Sequence, residues 1–271
     1  MTSMDSPVLS AKQLAKTYGT TVALAGVDLS VRQGEAVAVM GPSGSGKTTL
    51  LHCLSGILRP DHGEVVARTE RVHVRVTDLK DADLARLRRE EFGFVFQQGL
   101  LLPELTALEN AALPLMLAGV GRREAEQHAA GWLAHLGLAG LEGRRLGEMS
   151  GGQVQRIAIA RSQATGPGVT FADEPTGALD QTTSAEVLHA LLGATVGRGR
   201  TLVMVTHDEA VAARCSRIIR LQDGRIVHDS AAQGTHPVAR GVQPAASHPV
   251  AAAPGTINPY AADPAWTEGV E

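Results

Sequence analysis

Two short runs, AVAVM at Ala36–Met40 and TLVMV at Thr201–Val205, are almost continuously apolar, and each is followed by a stretch with helical spacing, from Lys47 and from Asp208. An unbroken apolar run of that length reads as a strand covered on both faces, and the pattern after it as the helix of a βα unit. Repeated along the chain, this alternation predicts an α/β fold in which helices cover a sheet. Residues 97–167 differ. They are rich in Leu, Ala and Glu, with apolar residues at helical spacing (Leu101, Leu105, Leu108; Trp132, Leu133, Leu136) and little strand pattern, which predicts a helical insertion. In RIIRLQDGRIVH, Asp223-Gly224 separates two β-branched runs, the sequence of a two-residue hairpin.

From Asp229 the composition turns to Ala, Pro, Gly and His, with prolines at 237, 244, 249, 254, 259 and 264 and HPVA occurring twice. Such a stretch lacks the branched aliphatics of a core and reads as an extended tail. The expected organisation is therefore a sheet domain in two parts, 1–96 and 168–228, a helical subdomain at 97–167, and a disordered tail at 229–271.

Composition narrows the classes. At 44% hydrophobic and 20% charged, the chain of 271 residues is in the globular range. No run approaches the roughly 18 apolar residues of a membrane span, and the stretch from Ala111 is broken by Pro114. The N-terminus lacks the basic and apolar regions of a secretory signal, so a cytoplasmic location is expected. Cys53 and Cys215 form no close pair and read as buried thiols. Net charge is −3, and the four acids of the tail against Arg240 alone leave the preceding residues neutral, which argues against nucleic acid as a partner.

Three segments carry chemistry. GPSGSGKT, with Gly41, Pro42, Ser43, Gly44, Ser45, Gly46, Lys47 and Thr48, follows a buried strand and opens a helix through Thr49. Its glycines let backbone N–H groups converge on phosphates, Lys47 supplies a charge, and Thr48 a hydroxyl for Mg²⁺. VTFADE ends a strand in two acids: Asp173 suits a magnesium shell and Glu174 a water attacking a γ-phosphate. MSGGQ places Ser150, Gly151 and Gly152 at a helix start, a second set of N–H groups for an anion, with Gln153 supporting the turn.

MSGGQ, together with GPSGSGKT, FVFQQ, FADEPTGALD and MVTHD in that order, resembles the motif set of ATP-binding cassette (ABC) ATPases across residues 9–228. LLPELTALENAALPLMLAG and DEPTGALD are similar to the subgroup of macrolide exporters, lipoprotein-release ATPases and antimicrobial-peptide detoxification transporters. The resemblance implies a P-loop NTPase fold that hydrolyses ATP with Mg²⁺. It also implies a head-to-tail homodimer in which residues 150–153 of one copy close over the ATP of the other. A separately encoded membrane permease would be energised, for export or efflux, with the ATPase peripheral on the inner membrane face. Mechanical signalling through an extracytoplasmic permease domain, or a soluble non-transport cassette ATPase, are the alternative readings. By the same resemblance Gln97 touches Mg²⁺ and the attacking water, His207 the γ-phosphate, and Tyr18, the only aromatic residue before Phe92, stacks on adenine. Asp180 either connects the two ATP sites or caps a helix. Three departures from the family pattern stand out: ARTERVHVRVTDL has no central glycine for its hairpin, Ser162-Gln163 replaces a small apolar pair, and Thr170 interrupts an apolar strand. None removes a ligand of phosphate, metal or water.

Overall fold

The computed structural model describes residues 6–97, 99–231 and 254. β1 (Leu9–Tyr18) and β2 (Thr21–Val31) open the chain as an antiparallel pair, and β4 (His62–Arg68) and β5 (His73–Arg75) complete a four-stranded sheet ordered β2-β1-β4-β5. A second sheet has six strands: β3 (Ala36–Met40), β6 (Phe92–Phe96), β7 (Val169–Asp173), β8 (Thr201–Val205), β9 (Arg217–Gln222) and β10 (Arg225–Asp229), ordered β10-β9-β3-β8-β7-β6. The expected α/β fold is present, but with two sheets. β1 is buried on one face only, whereas every residue of β3 and β8 is buried, and one-sided burial suits an antiparallel edge layer.

The helices are α1 (Lys47–Leu54), α2 (Asp81–Glu90), α3 (Ala107–Leu117), α4 (Arg122–His135), α5 (Gly151–Gln163), α6 (Gln181–Ala194) and α7 (Glu209–Ala212). α3, α4 and α5 all fall in the segment predicted to be helical. β3 sorts its side chains by alternation between two cores. Ala36, Ala38 and Met40 join the core shared with α3 to α6, while Val37 and Val39 join the one shared with α1 and the antiparallel sheet. α3, α5, α6 and α7 start at Thr106, Ser150, Asp180 and Asp208, whose side chains accept from first-turn N–H groups. Each such cap contributes about 1 kcal/mol. Both cysteines are buried and free, their thiols pushed up by burial to about 11 for Cys53 and about 12 for Cys215.

Each departure from the family pattern has a local explanation. In the glycine-free β4–β5 turn, the Thr69 hydroxyl accepts from the N–H groups of Arg71 and Val72, both at 3.2 Å. A side-chain oxygen thus closes a turn where a glycine is usual. Ser162, Gln163 and Thr170 compensate one another: buried Gln163 donates from Nε2 to Thr170 Oγ1 at 2.9 Å and to Ser162 Oγ at 3.1 Å. The polar group in α5 answers the one in β7.

One boundary moves. Asp229 belongs to β10 and forms a 2.5 Å ion pair with Arg217 Nη2, while Ser230 Oγ accepts from the Ile218 N–H at 3.0 Å. The described fold therefore runs to Ala231, because a charged partner in β9 holds a residue that composition assigned to the tail. The rest of the predicted tail, Pro254 apart, lies outside the described residues.

Candidate functional site

The register of the parallel strands builds the site. Val39 pairs with Val205, Val205 with Asp173, and Asp173 with Phe96, so four strands end in one row. The residues that follow, Gly41, His207, Glu174 and Gln97, leave the sheet along the same edge, although more than a hundred positions of sequence separate some of them. Strand carboxyl ends of open α/β sheets are where ligands sit.

At β3 the loop geometry demands glycine. Gly41 has φ 151° and a Cβ there would lie 2.1 Å from the Leu221 carbonyl oxygen; Gly46, at φ 99°, would meet that of Ala23 at 2.2 Å. Gly46 begins α1 and supplies no side-chain cap, which leaves the first-turn N–H groups to a ligand. Lys47, 9% exposed, donates to the Gly41 and Pro42 carbonyls at 2.8 and 2.9 Å, so its ammonium is held over the loop. Thr48 Oγ1 is 3.4 Å from Asp173 Oδ1. Burial raises the Asp173 carboxyl above its ordinary value, and the Thr48 hydrogen bond opposes the shift.

Thr48, Phe96, Gln97, Leu100, Asp173 and Glu174 line a cleft of about 390 Å³. Glu174 has φ 45°, a conformation non-glycine residues rarely adopt, and its Oε1 is 3.1 Å from His207 Nδ1. A Cβ on Gly177 would lie 3.0 Å from Gln97 Nε2 and 3.2 Å from Glu174 Oε2, so that glycine makes room for two side chains converging from different strands.

Two contributors escaped the sequence reading. Gln155 Nε2 donates to the Phe96 carbonyl at 2.8 Å, and Arg161 donates to those of Gly99 and Leu100 at 2.7 Å, so α5 fixes the loop after β6 that carries Gln97. Their partners are backbone atoms about sixty residues away, which leaves no trace in the spacing of side chains.

Ser150 and Gln153 form the expected reciprocal cap: Ser150 N–H donates to Gln153 Oε1 at 2.9 Å and Gln153 N–H to Ser150 Oγ at 3.3 Å. Neither they nor Gly151 and Gly152 line the cleft. A Cβ on Gly152 would meet Thr183 Cγ2 at 2.4 Å, which places this turn against the start of α6. There Asp180 accepts from the Thr183 N–H at 3.0 Å, the helix-cap reading of that residue. Tyr18 ends β1 half-exposed, with the Lys16 ammonium 5.8 Å from its ring centroid. The hairpin it opens touches the phosphate loop through Ala23.

Among the described residues no group of three or more His, Cys, Asp and Glu could hold a metal, so there is no all-protein cage. The oxygens of Thr48, Asp173 and Gln97, one carboxylate among them, fit Mg²⁺, which is bound through one or two carboxylates and completes its shell with water and substrate phosphates.

A glycine-rich loop at a helix N-terminus, with strand-end acids and a helical insertion carrying a second anion-ready turn, defines a P-loop nucleotide-binding cassette. The chain belongs to the ABC transporter family, whose model matches residues 24–177. It is 43% identical to the pyoverdine export ATP-binding/permease protein PvdT of Pseudomonas fluorescens over 84% of this chain and 35% of that one. Identity reaches 46% with the macrolide export ATP-binding/permease protein MacB of Rhodopseudomonas palustris, over 86% of this chain and 34% of that one. The chain thus spans about a third of the length of these relatives. The lipoprotein-releasing system ATP-binding protein LolD of Geobacter metallireducens is matched over 100% of its length by 83% of this chain, at 45% identity. Among solved structures, the dimeric cassette MJ0796 superposes with a TM-score of 0.74 at 39% identity, covering 82% of this chain and 97% of that one. Its post-hydrolysis dimer bound to ADP and Pi gives the same TM-score at 38% identity over the same shares.

Proposed function

We propose that this chain binds Mg²⁺-ATP, hydrolyses it between two copies of itself, and thereby energises a separate membrane permease in export. The observation that carries the reading is the common row of strand ends that brings Thr48 of the phosphate loop, Asp173, Glu174 and Gln97 to one cleft, with His207 against Glu174.

In the mechanism, Lys47 exchanges its two carbonyl acceptors for phosphate oxygens while the bare N–H groups of α1 receive the triphosphate. Thr48, Asp173 and Gln97 would hold Mg²⁺, which would supply charge neutralisation at the phosphates. Glu174 accepts a hydrogen bond from the attacking water and takes its proton, held in place by His207 at 3.1 Å. Gln97 faces the same space and orients that water. Tyr18 offers its exposed ring to the adenine. Ser150, Gly151 and Gly152 lie away from their own chain's cleft, so the ligand they serve is the ATP of a second copy, and Asp180 beside them links the two sites.

No described helix is long and apolar enough to cross a membrane, so the permease is another chain or segment. Ile57, Phe94, Phe96, Leu113, Pro114 and Leu117 line an apolar cleft of about 500 Å³ between the sheet and α3. Ile57 and Leu117 are 43% and 66% exposed there, a surface of the kind that receives a partner. The names of PvdT, MacB and LolD support export or lipoprotein release, and the full-length match to LolD supports an ATPase encoded apart from its permease. Such an ATPase sits on the cytoplasmic face. The two sheet parts, 1–96 and 168–231, act as one nucleotide-binding body, and 97–167 as the subdomain that carries the trans contact.

Glu174→Gln is expected to lower turnover at least about 100-fold while ATP still binds and traps a dimer. Hydrolysis at the wild-type rate would remove Glu174 from its role and the mechanism with it.

A further inference from the structure

Gly131 lies inside α4 with helical backbone. Glycine in a helix interior is destabilising relative to alanine, so its place needs a packing reason. A Cβ built there meets three atoms of Pro254, at 3.2, 3.3 and 3.6 Å. The missing side chain is the notch that receives the proline ring. Arg198, in the 3-10 turn Val196–Arg198 after α6, completes the seat. Its guanidinium stands 5.1 Å from the Trp132 ring centroid, and Nη2 donates to the Pro254 carbonyl at 3.1 Å. One face of the cation is thus spent on the indole and one edge on the proline. His128 and Trp132, one turn apart on α4, keep Nε2 and Nε1 buried without a hydrogen-bond partner among the described residues. Burial lowers the His128 pKa, and an Ala164 backbone hydrogen bond opposes the shift.

The sequence singles out this proline. Ala251, Ala252 and Ala253 precede it and Gly255 follows, so no bulky neighbour keeps the ring out of the notch. The residues between Ala231 and Pro254 span on the order of 70 Å when extended, ample for the reach. A segment tethered in this way faces its seat at roughly millimolar effective concentration, so one ring contact and one hydrogen bond are enough to fill it.

We propose that Pro254 docks on its own chain, in a seat made by Gly131, Trp132 and Arg198. The docked proline ties α4 of the helical insertion to the turn after α6 of the sheet part. It also covers that face of α4 against other partners.

Full-length chains carrying Gly131→Cys with Pro254→Cys test the proposal, because the Cβ separation is close to that of a disulfide and the native thiols are buried. Gly131→Cys with Pro249→Cys and with Pro259→Cys are the controls. Under mild oxidation the Pro254→Cys pair is expected to close within one chain about tenfold faster than either control. Equal rates at all three positions, or cross-links between copies in place of the internal one, would overturn the proposal. A second measurement avoids the notch itself. In a Trp266→Phe background Trp132 is the sole indole, and Arg198→Ala and Pro254→Asp should each raise its quenching by acrylamide about twofold. Unchanged quenching in both would also overturn it.

Discussion

Gln163 is a residue whose worth depends wholly on two others. It is 2% exposed, and its amide is bonded to Thr170 and Ser162, each in an otherwise apolar setting. Gln163→Leu strands the Thr170 hydroxyl and is expected to cost about 1–3 kcal/mol. Gln163→Leu with Thr170→Val removes both partners and should recover most of the loss, measured as a double-mutant cycle in urea. Additive losses would show that the two do not act as a pair. At the site, His207 touches Glu174 with its ring, and in the proposed mechanism it positions that carboxylate. His207→Ala is therefore expected to lower kcat by about 100-fold with a small change in KM. A rise in KM at constant kcat would instead make His207 a group that binds substrate before reaction.

The β9–β10 hairpin shows how an element is closed and where it ends. Asp223 and Gly224 both have positive φ, 48° and 71°, the pairing of a type I′ turn that Asp-Gly announces in sequence. The far end is fixed by Asp229 and Arg217, joined at 2.5 Å. The Arg217 hydrogen bond holds the Asp229 carboxyl below its ordinary value of 3.8, with burial opposing. The native state therefore binds this proton less readily than the unfolded chain. The pair's contribution is present above pH about 4 and is lost as pH falls through the native value. Thermal unfolding of wild type and Asp229→Asn should differ at pH 7, with wild type the more stable, and the difference should shrink as the pH falls below about 4. A difference constant over that range would mean the side chain acts by packing alone. For the same reason a chain cut after His228 loses this pair, whereas one cut after Ala231 keeps it.

At the scale of the molecule, the proposed role of Ser150, Gly151 and Gly152, which lie away from their own cleft, calls for a second copy. In a Glu174→Gln background with ATP, Gly151→Asp sets a carboxylate where a phosphate of the partner's nucleotide should arrive. ATP binding to the single chain should persist while the dimer seen by light scattering disappears. A dimer that survives would sink the trans assignment. The sequence by itself determined the α/β class, the helical insertion, the Asp-Gly hairpin, the phosphate loop and both strand-end acids. These are local signals: an apolar period, a turn dipeptide, or a glycine spacing that one segment of backbone imposes. Tertiary structure alone decided the rest. The split into two sheets, the holding of Gln97's loop by Gln155 and Arg161, the mutual satisfaction of Gln163 and Thr170, and the capture of Asp229 by Arg217 all join one element to another. A buried polar group is costly only until its partner arrives, and in this chain the partner is supplied by folding from another strand, helix or loop.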